Sequence, residues 1–106
     1  MMEGDLEKMM EQLRGVQDQL AKAQDELAAV TVTAEAGGGM VSATANGRQQ
    51  LVSIKIEKEV IDASEKEMLE DLVVAAVNRV MERARELSET KMAEATRGFL
   101  PNIPGL

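Results

Sequence analysis

Leu6, Leu13, Leu20 and Leu27 recur every seventh residue, and Met9, Val16, Ala23 and Val30 repeat that interval three residues further on. Steps alternating between three and four keep apolar side chains on one face of a helix, the seam of a coiled coil. Most other positions are Glu, Gln, Asp, Lys or Arg. The pattern predicts a helix from Glu3 to about Ala29. Gly15 falls off the seam, where it costs roughly 1 kcal/mol against Ala and leaves the packing intact. Such a seam packs either on its own chain or on a second one.

At Val30 the period drops to two. Val30, Val32, Ala34 and Ala36 alternate with Thr31, Thr33 and Glu35, which predicts a strand with one buried face. Gly37-Gly38-Gly39 follows as a turn. Val41, Ala43 and Ala45 alternate with Ser42, Thr44 and Asn46 in a second strand, and Asn46-Gly47 reads as a two-residue hairpin with positive φ at both positions. A third strand carries Val52, Ile54 and Ile56 on one face against Ser53 and Lys55 on the other. Two consecutive hairpins make a three-stranded antiparallel meander, and its small alanines invite a helix to lie close.

Ser64-Glu65-Lys66-Glu67 has the form of a capping box, with Ser64 opening the second helix. The stripe Leu69, Leu72, Val73, Ala76, Val77, Val80, Ala84 and Leu87 continues it to Thr96 or Arg97, and Gly98 suits the residue after a helix end. Residues 98–106 form a non-helical tail whose apolar residues suggest docking. The expected class is α+β in the order αβββα, one domain over residues 1–106.

Lengths add a constraint. A helix of about 26 residues is roughly 39 Å long and a strand of about seven is roughly 23 Å, so the first helix overhangs the sheet by about 15 Å. The second overhangs by more. Soluble monomers rarely expose that much Leu, Met and Val, which predicts a homodimer. The seam residues available to it are Leu6, Met9, Leu13, Val16, Leu20 and Leu27.

Most catalytic chemistry lacks its side chains. The 106 residues include no His and no Cys, so nucleophile pairs with an imidazole base, the usual zinc sites and disulfides are excluded. The one aromatic residue, Phe99, cannot line a ligand pocket alone. Glu3, Glu7 and Glu11 share a helical face as a hard-cation site would require, but the spacing is read as a solvated acidic face and not as a cation site. The glycine run has no following Lys-Ser or Lys-Thr and leads into a strand, unlike a phosphate loop. No enzyme activity, cofactor, metal or small-molecule substrate is expected. With no apolar run near 20 residues and no secretory start, the expected location is cytoplasmic.

Several strings, in order and spacing, resemble the YbaB/EbfC nucleoid-associated proteins of bacteria. They are Met9-Met10-Glu11-Gln12-Leu13, Thr-Ala-Glu-Ala-Gly-Gly-Gly-Met-Val at 33–41, Val-Ser-Ala-Thr-Ala-Asn-Gly at 41–47 and Glu-Met-Leu-Glu-Asp-Leu-Val-Val-Ala-Ala-Val-Asn at 67–78. Lys91-Met92, Thr96-Arg97-Gly98 and the closing Pro104-Gly105 complete the match. The resemblance implies a small dimer with projecting helices that binds double-stranded DNA, lies on the nucleoid and contributes to chromosome organisation or gene regulation.

Charge sets the terms of any DNA contact. The net charge is −7, which repels nucleic acid at long range. On the second helix, Arg79 and Arg83 lie four apart and Arg97 returns to the same side five turns after Arg79, with Glu86 interrupting the face. Lys8, Arg14 and Lys22 offer a second basic set on the first helix. Solvated arginines paired with neighbouring acids are the competing explanation. The two functional readings are a DNA-binding dimer that contacts phosphates and a non-enzymatic protein that binds a DNA-processing partner with little DNA contact.

Overall fold

The computed structural model describes residues 2–97, with side chains from Gly4 onward. The order is α1 (Met2–Ala29), β1 (Thr31–Ala36), β2 (Val41–Asn46), β3 (Leu51–Ile56), two short 3-10 turns (Lys58–Val60 and Ala63–Glu65) and α2 (Lys66–Thr96). This is the αβββα arrangement expected from the periodicities. The expected tail at 98–106 lies outside the described residues.

The sheet is antiparallel in the order β1-β2-β3. The buried face of β1 and β2 consists of Ala34, Ala36, Val41, Ala43 and Ala45, and α2 lays Ala76, Val80 and Ala84 against it. Small side chains on both surfaces let the helix approach closely, and Val41 and Val80 fill the layer between them. Full burial of a valine contributes about 1.5–3 kcal/mol. Thr31, Thr33, Ser42, Thr44, Ser53 and Lys55 belong to the opposite face, as the register requires. There the Thr33 and Thr44 hydroxyls meet at 3.1 Å.

The two hairpins differ in mechanism. Gly37, Gly38 and Gly39 all have positive φ (64°, 67° and 94°), a run open to glycine without strain. The second hairpin departs from the two-residue turn. Residues 47–49 form the loop, with Gln49 N donating to Asn46 O and Asn46 N to Gln50 O, and the positive φ falls on Gln49 at 62°. Asn46 acts through its side chain: Oδ1 accepts from Arg48 N and Gln50 N at 2.9 and 3.2 Å. Gly47 serves another purpose. A Cβ there would stand 2.5 Å from Leu27 Cδ2, so the missing side chain lets the loop close against the end of α1.

Two further expectations shift by a residue or two. A bulge interrupts the β2–β3 register: Ala45 pairs with Leu51 and Thr44 with Ser53, leaving Val52 as the extra residue. The capping box does not form. Asp62 Oδ1 accepts both Ser64 N and Ser64 Oγ at 3.0 and 2.9 Å, and the resulting 3-10 turn delays α2 to Lys66. With its hydroxyl given to Asp62, Ser64 does not cap the helix.

Both helices project beyond the sheet, and the described fold extends 75 Å along its longest axis. They run antiparallel where they meet: Gln24 Nε2 donates to Met92 Sδ at 3.8 Å, and Lys91 Nζ lies 2.8 Å from Glu26 Oε2. No described helix is long and apolar enough to cross a membrane.

Candidate nucleic-acid interface

The arginines selected from the sequence reach the edge of the sheet. Arg79 Nη1 donates to Glu35 O at 2.7 Å, and Arg83 Nη1 donates to Thr33 O. A four-residue step on α2 advances about 6 Å, near the two-residue repeat of a strand, so the two guanidiniums match alternate carbonyls of β1. Both remain exposed. Each commits one nitrogen, and its remaining N–H groups have no acceptor among the described residues.

The other candidates are dispersed. Arg97 caps α2 about 27 Å along the helix from Arg79. Lys8 and Arg14 stand on the part of α1 that lies beyond α2. Lys22 borders the groove between the helices with Gln19, Glu26, Lys91 and Glu94. There the Lys91 hydrogen bond holds the Glu26 carboxyl below its ordinary range, and the charge of Lys22 adds to the effect. Arg85 is withheld from outside ligands: it bonds Glu82 and, at 2.6 Å, Glu89. Its hydrogen bond with Glu82 lowers the Glu82 pKa and raises that of Arg85.

The seam divides along its length. Leu27 and Ala23 are buried at 1% and 3% exposure, Leu20 and Val16 are half-buried, and Leu13, Met9 and Leu6 are exposed at 62%, 59% and 58%. Its C-terminal half packs within the chain, and its N-terminal half meets no described residue of α2. A second apolar surface lies along β3, where Leu51, Val52 and Ile54 are exposed because α2 is centred over β1 and β2.

Sequence reasoning passed over two cations. Lys55 pairs with Ser42 on the open polar face of the sheet, and Arg48 stands exposed in the loop between β2 and β3. The alternation of β3 carried the signal for Lys55. Arg48 gave none, because its position depends on the loop closing at residues 47–49. Among the described residues, no group of three Asp or Glu side chains is arranged to hold a metal ion.

The model of the YbaB/EbfC DNA-binding family matches residues 2–99. The chain belongs to this family. Among its relatives is a nucleoid-associated protein of Caldanaerobacter subterraneus subsp. tengcongensis, 48% identical over 96% of this chain and 90% of its own length. Another, from Syntrophobacter fumaroxidans, is 45% identical over 92% of this chain and 86% of its own. The crystal structure of an uncharacterized protein from Helicobacter pylori shares the fold with a TM-score of 0.63 at 24% identity, over 74% of this chain and 90% of that one. The YbaB/EbfC resemblance drawn from the motif strings is thus a family relationship over nearly the whole chain.

Proposed function

We propose that this protein is a nucleoid-associated DNA-binding homodimer, without catalytic activity, that contributes to chromosome organisation or gene regulation in the cytoplasm. Family membership, with relatives named nucleoid-associated proteins, carries the reading. Arg79 and Arg83 support it as contacts for duplex DNA, because each keeps N–H groups exposed beside a rigid strand edge. Lys8, Arg14, Lys22 and Arg97 are candidates for further contacts. No described element has the form of a recognition helix set to read base edges, so the contacts go mainly to phosphates.

For the homodimer, the two sheet edges differ. Arg79 and Arg83 occupy carbonyls on the β1 edge, whereas β3 ends the sheet and exposes Leu51, Val52 and Ile54 beside its outer edge. A second copy set along β3 buries that apolar strip and pairs an open edge. Light scattering coupled to gel filtration should give twice 11.5 kDa; a mass near 11.5 kDa would overturn the dimer.

The experiment for DNA is a gel-shift series over salt. The logarithm of affinity should fall with the logarithm of salt concentration, with a slope of about 0.9 per phosphate neutralised. Arg79→Glu with Arg83→Glu should weaken binding. Duplex binding equal to the parent's would move the site to Lys8, Arg14 and Lys22. The net charge of −7 and the uncovered half of α1 favour a second reading, an interaction protein for a DNA-processing partner. Absence of parent binding at low salt would put that reading in place of the first.

A further inference from the structure

The outer half of α1 carries the seam past the end of α2. Gln24 meets Met92 and Glu26 meets Lys91 in antiparallel order, so Thr96, the last residue of α2, stands about level with Leu20. From Asp18 back to Met2, α1 extends for about 26 Å with no described residue of α2 beside it. Leu6, Met9, Met10 and Leu13 on this stretch are each more than half exposed, and Val16 is half-buried. The charged residues Glu7, Lys8, Glu11, Arg14 and Asp18 fall on the other faces of the helix.

We infer, on the basis of the homodimer proposed above, that this face pairs antiparallel with the same face of a second copy and so joins one dimer to the next. The stripe is its own complement. With Met9 set against the partner's Leu13, Leu6 falls against the partner's Val16, and the dyad repeats both contacts in reverse to give four apolar layers. This register also fits the space. It brings the partner's Met2 about level with Leu20, where α2 has just ended, so α2 and the partner's α1 lie end to end along one seam. The negative end of one helix dipole then meets the positive end of the other. A parallel copy is excluded, because its inner half would run along the stretch of seam that α2 already covers.

Charge selects a second copy as the occupant. Across an antiparallel pair, positions flanking the seam meet their own kind. Gln12 meets the partner's Gln12, Met10 the partner's Met10 and Asp5 the partner's Gln19, so none of these pairs opposes like charges. A strongly basic partner helix would find no matching row of acids beside the seam. The net charge of −7 per chain leaves a longer-range repulsion, which salt screens. Joining therefore strengthens with salt, whereas phosphate contacts weaken. Two joined dimers place two DNA-binding units in one assembly, enough to hold two segments of duplex together.

Sedimentation equilibrium of the full chain, without nucleic acid, tests this separately from DNA binding. The mass should rise with protein concentration from twice 11.5 kDa toward four times that value or beyond, and more readily in high salt. Leu13→Asp, at a position already exposed, should hold the mass at twice 11.5 kDa with helicity retained. Gln12→Glu and Gln12→Lys should each weaken the association about two- to five-fold by setting like charges opposite each other, and mixing the two variants should restore it. A parent mass fixed at twice 11.5 kDa would overturn the inference, as would growth that Leu13→Asp leaves intact or a mixture no tighter than the single variants. A mass that passes only from 11.5 kDa to twice that value, and does so through Leu13, would keep the α1 pairing and refute the β3 dimer instead.

Discussion

The carbonyl oxygen of Leu27 accepts the backbone N–H of Gly47 at 2.9 Å, and a Cβ on residue 47 would stand 2.9 Å from that same oxygen. The loop after β2 and the end of α1 therefore touch backbone to backbone. Gly47→Ala should destabilise the fold by about 1–3 kcal/mol, as overpacking does when a backbone atom must move. Urea unfolding checks this. A midpoint equal to the parent's would show that the contact yields freely.

Gln49 carries the positive φ in that loop. A left-handed conformation costs an L-residue roughly 1–2 kcal/mol, and glycine avoids this cost while losing about 0.5–1 kcal/mol through its freer unfolded chain. Gln49→Gly should give a net gain of about 0.5–1 kcal/mol and raise the melting temperature by a few degrees. A lower melting temperature would count against this loop conformation.

Asp62 and Ser64 exchange the roles expected of a capping box. Removing Asp62 leaves Ser64 N and Ser64 Oγ without their acceptor, whereas removing the Ser64 hydroxyl leaves the backbone bond in place. Asp62→Ala should therefore lower stability more than Ser64→Ala in thermal melts. The Ser64 backbone hydrogen bond, then that from its hydroxyl, hold the Asp62 pKa below its ordinary value. A depressed carboxylate stabilises above the unfolded pKa, about 3.9, and loses that contribution as pH falls through the folded value. The difference between parent and Asp62→Ala should thus be full above about pH 5 and shrink on further acidification. A difference that does not vary with pH would mean the carboxylate charge is not involved.

Arg83 should have a structural effect apart from any nucleic acid. Arg83→Ala deletes the donor to Thr33 O at an exposed edge, which should cost about 1 kcal/mol. Denaturant unfolding without DNA measures it. Parent-like stability would show that solvent replaces the guanidinium without loss. A structural loss also means that DNA affinities must be compared at equal folded fraction.

Local periodicity alone prescribes the elements and their order. The seven-residue seam, the alternation from Thr31 to Ile56 and the stripe from Leu69 to Leu87 are covalent periodicities, and each imposes its structure locally because helix and strand return side chains to one face at 3.6 and 2.0 residues. Family membership was legible in the motif strings for the same reason: residues close together in the chain carry them. How the faces are used depends on long-range packing. It buried Leu27 and Ala23 within the chain while leaving Leu6 exposed, because the antiparallel α2 reaches only about as far as Gln19. It set Gly47 against Leu27 and brought Arg79 and Arg83 to Glu35 and Thr33, contacts between residues 20 to 50 positions apart. The free energy of such contacts depends on how separate elements meet in space, and no local period encodes that meeting.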